Sequence, residues 1–239
     1  MSAEKFVFKQ FSIVQQGCAH KVGTDGVLIG AWAEAEGANF ILDIGTGSGI
    51  ISLMMAQKSP TAIIDAIDIE EGACLQAKEN VAQSPWKERI RIHHCPLQKF
   101  ELHPHRKYDL IITNPPFFVD SFKAPDEDRS HARHNDALPF PELIDGVLNL
   151  LTPQGKFYII LPTKEAGDFK NLAEKKHLHL IKRLRVKTKM INGSEKRHLM
   201  QFSLSPRSLH DYTLSIEKEG RHDYTEEYKK LTEEFYLHF

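Results

Sequence analysis

Cysteine is scarce: the 239 residues include three, Cys18, Cys74 and Cys95. They are odd in number, far apart and without C-x-x-C spacing, which excludes a disulfide framework, argues against a zinc site and fits a reducing compartment. Long apolar runs are missing too. Nothing approaches the ~18 apolar residues of a membrane span, and the opening MSAEKFVFKQF has no signal-peptide core. These absences predict a cytoplasmic protein without a membrane partner. Charge of one sign is also lacking, since the formal net charge is −1, so the molecule as a whole is no sponge for polyanions. No internal repeat or low-complexity tract interrupts the chain.

The composition that remains, 41% hydrophobic and 26% charged, is that of a soluble globular domain. A chain this long buries roughly 70% of the surface its unfolded form exposes and needs no staple. Its charge is uneven, however. Between Lys164 and Arg207 twelve Lys/Arg face four Asp/Glu, which leaves +8 there and −9 elsewhere. That asymmetry favours an anionic partner on one face.

Short β-branched runs alternate with helical stretches. FILDIGTG precedes a helix from Ile50 to about Lys58, and AIIDAIDI precedes one from about Glu71 to Gln83. RIRIHHC, YDLIITN, a helix around Phe140 to Leu151, and GKFYIILP follow. This rhythm predicts right-handed βαβ units and a mainly parallel sheet. LIKRLRVKT and HLMQFSLS flank the turn signal Asn192-Gly193 and read as an antiparallel pair ending the sheet. In YTEEYKKLTEEFYLHF, Tyr228, Leu231 and Phe235 share a helical face, so a terminal helix is expected to dock. One domain over 1–239 follows. It comprises an N-terminal extension (1–40) contributing to the cofactor site, a cofactor and catalytic core (41–162), a basic substrate-facing part (163–212) and a C-terminal helix (213–239).

LDIGTGSG sets Gly45, Gly47 and Gly49 at the end of the first core strand, with Asp43 just ahead. The spacing is G-x-G-x-G and not the G-x-G-x-x-G of a dinucleotide fold. An acid in such a turn suits a cationic ligand, because a carboxylate facing a diphosphate would repel it. Asp68 closes the next strand, where an acid can accept hydrogen bonds from a ribose. Together these signals resemble the S-adenosylmethionine-dependent methyltransferases with a Rossmann-like, seven-stranded sheet. The resemblance implies that Asp43 faces the methionine end, that Gly45, Thr46, Gly47 and Gly49 line the cofactor, and that Asp68 with Ile69 takes the ribose side. One departure stands out: where the family often has an acid for the adenine amino group, this chain has Cys95, Pro96 and Leu97. Main-chain atoms and apolar packing would hold the adenine instead.

The strand YDLIIT ends in Asn114, Pro115, Pro116 and Phe117. Two prolines cannot continue a hydrogen-bonded strand. They can, however, hold two acceptors rigid, the Asn114 side-chain oxygen and the Pro115 carbonyl. An amino group on a heteroaromatic ring is a poor nucleophile, since its lone pair is delocalised. Gripping both N–H bonds favours a pyramidal nitrogen with its lone pair directed at a methyl carbon. Phe117, with Phe118 beside it, offers a ring for a planar base to stack on.

N-P-P-[FY] is similar to the motif of methyltransferases that act on adenine N6, guanine N2 or a glutamine amide. Only 42 residues precede Asp43, too few for the helical domain of the glutamine enzymes. FKQFSIVQQGCAHKVGTDGVLIGAW, LDIGTGSG, NVAQSPWKERI, NPPFF, ARHN and DYTEEYKKLTEEFYLHF together resemble the bacterial tRNA(Val) (adenine-N6)-methyltransferase family over nearly the whole chain. That resemblance implies transfer from S-adenosylmethionine to an adenine of the anticodon loop, with tRNA as substrate and Asn114 also bordering the cofactor. Guanine N2 of ribosomal RNA, a protein glutamine, or a non-catalytic RNA-binding role are the alternatives.

The remaining candidates each have a plainer reading. Lys21, Thr24 and Asp25 in KVGTDG either hold the cofactor's amino-acid end or form a helix N-cap and loop. Arg129 and Arg133 in RSHARHND either contact phosphates beside an extruded base or are exposed loop charges. His131 and His134 have no third ligand at metal spacing, so no metal is expected. Arg183, Arg185, Lys187 and Lys189 emerge on one face of a strand, as a phosphate track or as protection for a sheet edge.

Overall fold

The computed structural model describes residues 5–15, 22–100, 106–116 and 138–239. A two-stranded hairpin, β1 (Lys5–Val7) and β2 (Ser12–Val14), precedes helix α1 (Thr24–Trp32). Then come β3 (Phe40–Ile44), α2 (Ile50–Lys58), β4 (Ile63–Asp68), α3 (Glu71–Ala82), β5 (Ile90–His94) and β6 (Tyr108–Thr113). Helix α4 (Phe140–Leu150), β7 (Leu151–Pro162) and α5 (Thr163–Lys175) follow. The chain closes with β8 (His179–Lys189), β9 (Glu195–Ser203), β10 (His210–Glu217) and α6 (Glu226–Thr232).

The large sheet runs β10-β8-β9-β7-β6-β3-β4-β5. β9 alone is antiparallel, lying between β7 and β8. Strands β3 to β9 are the seven expected, with the antiparallel pairing where Asn192-Gly193 turns the chain. β10 adds an eighth, parallel to β8. The expectation of a helix over 213–239 is therefore corrected: part of it is strand, and helix covers Glu226–Thr232 alone. HDYTLSIE is a polar edge strand in which Leu214 is the one buried residue, so no alternating pattern marks it. Thr225 starts the helix by accepting a hydrogen bond from Tyr228 N at 3.2 Å.

The central strands read as unbroken apolar runs because helices cover both faces. One face packs under α1, α2 and the chain's two ends, the other under α4 and α5. Helix α1 is buried from Gly26 through Trp32, as a helix apolar all round must be. The chain goes β3, β4, β5 in one direction and returns to pair β6 on the other side of β3. This reversal splits the sheet's carboxyl rim between β3 and β6, where an open α/β sheet binds ligands. Ile44 pairs with Thr113 at the rim, and Thr113 Oγ1 ties the two strands by donating to Ile44 O at 2.8 Å.

Asn80 of α3 fastens the N-terminal hairpin beside that rim. Its Oδ1 accepts from Val14 N at 2.9 Å, and its Nδ2 donates to Val14 O at 3.1 Å and to Ser48 O at 2.9 Å. Asn80 is 1% exposed, so water cannot replace these partners. Asn80→Ala is expected to cost about 2–3 kcal/mol, read as a lower melting temperature and faster proteolysis ahead of residue 15.

Candidate active site

The rim between β3 and β6 carries two buried oxygens without partners. Asp43 is fully buried, and its Oδ2 accepts from Thr46 Oγ1 and Ser52 Oγ, each at 2.7 Å. Among the described residues its Oδ1 has no hydrogen-bond partner, and neither has the buried Oδ1 of Asn114, which follows the adjacent strand β6. A buried acceptor left unmet costs on the order of 1–3 kcal/mol. Two such atoms at one switch point are acceptors waiting for a donor ligand. Burial pushes the Asp43 carboxyl up to about 6, with the Asp68 charge adding to the rise and the Ser52 and Thr46 hydrogen bonds opposing it.

The turn after β3 gives that ligand room. Gly45 and Gly47 adopt φ of 71° and 56°, and a Cβ on either would meet open space within 4 Å. Both conformations disfavour L side chains. The turn is fixed by Gly45 N and Thr46 N, which donate to Ile67 O at 2.9 and 3.1 Å. Asp68 supports it from β4: Oδ2 accepts from Gly47 N at 2.8 Å and Oδ1 from Glu70 N at 3.0 Å. Each oxygen keeps a second lone pair for a hydroxyl. Ile69 is 45% exposed beside it, an apolar surface at the same rim. Acidic, open and glycine-lined, this cradle fits S-adenosylmethionine, whose sulfonium and ammonium are both cationic.

Helix α1 lies over the crevice. A methyl group added at Gly26 would come 3.6 Å from Ile50 Cγ2 and 3.9 Å from Asn114 Nδ2. Asn114 therefore sits between α1 and the start of α2, beside the glycine turn. Pro115 is half-buried and Pro116 exposed. Asp25 is engaged elsewhere than expected: its Oδ2 accepts from Arg197 Nε at 2.7 Å. Thr24 is exposed and lines a groove of about 330 Å³ with Thr188, Lys196 and Arg197. Gly23 is the N-cap of α1, and no side chain caps it. Lys21, Phe117, Phe118, Arg129, Arg133, His131 and His134 lie outside the described residues. Among the described residues no cluster of three His, Cys, Asp or Glu could hold a metal, and no helix is long and apolar enough to cross a membrane.

The structure overturns one of the two readings of the basic strand. β8 is not a sheet edge, because β9 and β10 flank it, so edge protection is not what its cations do. Nor is the track uniformly available. Arg183 and Arg185 share Asp211, at 2.5 and 3.2 Å, and Arg185 also reaches Glu195 at 3.2 Å. Lys189 Nζ donates to Glu219 O at 3.0 Å. Sequence reasoning passed over Asn80, Thr113, Ser52 and Arg197. Asn80, Thr113 and Arg197 act through partners distant in the chain, which no local pattern reveals, whereas Ser52 reaches Asp43 from nine residues away.

A family model described as "Methyltransferase small domain" matches residues 23–175. A protein of Bacteroides thetaiotaomicron named tRNA1(Val) (adenine(37)-N6)-methyltransferase is 49% identical over 98% of this chain and 97% of its own. One of the same name from Christiangramia forsetii is 45% identical over 99% of both chains. Among solved structures, the ribosomal protein L11 methylase of Lactobacillus delbrueckii subsp. bulgaricus superposes with a TM-score of 0.57 at 14% identity. It covers 83% of this chain and 98% of its own. That likeness concerns the fold.

The state of Asp43 sets a pH dependence. Its folded pKa of about 6 lies above the unfolded value, so the native state holds that proton more tightly. The ionised carboxylate costs the cofactor-free fold roughly 3 kcal/mol above pH 6, a cost absent below about pH 4. A cationic ligand needs the ionised form. Affinity for S-adenosylmethionine, measured by calorimetry, is expected to fall by up to about tenfold per unit as pH drops below 6. Asp43→Asn is expected to raise the melting temperature of the cofactor-free protein at pH 7.5, weaken cofactor binding and flatten this pH profile.

Proposed function

The chain belongs to the methyltransferase small-domain family, and from that premise we propose that it transfers a methyl group from S-adenosylmethionine to N6 of an adenine in tRNA. The relatives' shared name, over nearly the full length of both chains, supports adenosine 37 of a valine tRNA as the target. The observation that carries the chemistry is the buried, unpartnered Asn114 Oδ1 at the β3–β6 switch point. An RNA-modifying role, together with sparse unpaired cysteine, supports a cytoplasmic location, and residues 1–239 are read as one catalytic domain.

When bound, S-adenosylmethionine supplies a sulfonium methyl and is left as a neutral thioether. The chain does the rest. Asn114 Oδ1 and the Pro115 carbonyl accept the two N–H bonds of the adenine amine, drawing the lone pair out of the ring and toward the methyl carbon. The Pro115-Pro116 pair keeps both acceptors in place, so little reorganisation remains at the moment of transfer. A nitrogen that has gained a fourth bond is strongly acidic and releases its proton to solvent, so no side-chain base is required. Asp43 supplies the counter-charge for the cofactor, and Asp68 receives its ribose hydroxyls. A loop adenosine suits this pocket because extruding it costs less than extruding a base stacked in a duplex.

Incubation with labelled cofactor and a mixture of tRNA, ribosomal RNA and protein, followed by nucleoside analysis, is expected to place the label in methyladenosine of tRNA. Label in guanosine or glutamine would overturn the assignment. Asn114→Ala is expected to leave cofactor affinity within about twofold while turnover falls ~10²-fold or more, as when one aligned polar group is lost. An equal loss of cofactor affinity would make Asn114 a binding residue instead.

A further inference from the structure

The turn joining β8 to β9 presents Met190 and Ile191 at 59% and 58% exposure, the two most exposed large apolar side chains among the described residues. The turn is built rather than loose. Asn192 takes φ 56°, and a side chain at Gly193 would collide with the Lys189 backbone. Met190 N donates to Glu217 O at 2.9 Å, tying the tip to β10. A rigid turn that holds two apolar side chains out in water does nothing for the core.

Register locates this tip relative to Asn114. Val186 pairs with Arg197, and Arg197 with Pro162 at the end of β7. Thr113 pairs with Ile159, so Asn114 lies two residues below that level, and three more residues of β8 rise beyond it, about 16 Å in all at ~3.3 Å per residue. Three strand spacings separate β8 from β6, roughly 14 Å. The hairpin is therefore a wall standing over the same rim as Asn114, within reach of nucleotides next to the one being methylated.

Its charge is one-sided. From Lys182 to Arg197 seven Lys/Arg accompany a single acid, Glu195, and Glu195 is occupied by Arg185 at 3.2 Å and His198 at 3.3 Å. Lys187 and Lys196, on either side of the tip, have no acidic partner among the described residues. Apolar side chains between unpaired lysines complement an unpaired nucleotide, with a flat face to cover and a phosphate to neutralise.

Resting on the adenosine reading above, we infer that the β8–β9 tip is a base-engaging wedge of the RNA site. Met190 and Ile191 cover the face of a loop base flanking the target, left bare when the target adenosine leaves the stack. Lys187 and Lys196 hold the adjoining phosphates.

The test compares wild type with a Met190→Ser/Ile191→Ser variant on anticodon stem–loop RNA, intact or abasic at the nucleotides flanking the adenosine. Both side chains are exposed, so the variant keeps its melting temperature and its cofactor affinity. KM for intact RNA is expected to rise about tenfold, within the ~5–150-fold that base stacking is worth, with kcat little changed. An abasic flank costs wild type a similar factor and the variant nothing further. Lys187→Ala/Lys196→Ala is expected to flatten the log–log salt dependence of RNA binding by about 1.4, at ~0.7 per phosphate contact. An unchanged KM, equal sensitivity of both proteins to the abasic flank, or a change of oligomeric state in place of RNA kinetics would overturn the wedge. Wild type that leaves tRNA adenine unmethylated would instead overturn the functional reading beneath it.

Discussion

The active site turns on two buried oxygens that no donor among the described residues meets. Asp43 Oδ1 on β3 and Asn114 Oδ1 just past β6 are buried with no hydrogen-bond partner among the described residues, and the fold tolerates this because its two cores are large. Satisfying either oxygen internally would stabilise the empty protein and remove its reason to bind. Thr46 and Ser52 mark the limit of that compromise: they satisfy one Asp43 oxygen and leave the other for the ligand. A site of this kind carries its cost before binding, which is how preorganised electrostatics avoids reorganisation later.

Most of the remaining architecture serves the place where those oxygens meet. Thr113 keeps β6 level with β3. Asp68 fixes the glycine turn from β4, so the acid proposed to hold a ribose also shapes the loop beneath it. Asn80 draws the N-terminal hairpin onto Ser48, and α1 covers Asn114 at a distance where a methyl group on Gly26 would just touch its side chain. Binding geometry and fold stability thus use the same hydrogen bonds. Loosening the hairpin would also loosen the turn that the cofactor must meet.

Local chemistry was readable in the sequence wherever one residue type suffices to produce it. Apolar runs gave β3 to β7, Asn192-Gly193 gave the hairpin, and Gly45 with Gly47 gave a turn that side chains would strain. Asp43, Asp68 and Asn114 stood out because acids and amides are unusual at buried strand ends. Features that depend on distant partners stayed hidden. β10 is a strand because β8 offers it an edge, not because HDYTLSIE alternates. Asp25 reads as a cofactor ligand or a helix cap until Arg197, 172 residues away, is folded against it. The same blindness made four cations of β8 look equivalent, although Asp211 claims two of them.

That last difference bears on how RNA is held. An arginine fork already shared with a carboxylate must give up a well-aligned partner before it can accept a phosphate, so it contributes little net attraction. A lysine without a partner gives up only water and counterions. The two kinds of cation separate along the hairpin: Arg183 and Arg185 are paired toward its base, while Lys187 and Lys196, toward the tip, have no acidic partner among the described residues. The arginines therefore brace β8 against β9 and β10, and in the proposed wedge the attraction for RNA falls to the lysines of the tip. A protein with almost no net charge can in this way draw a polyanion to one place.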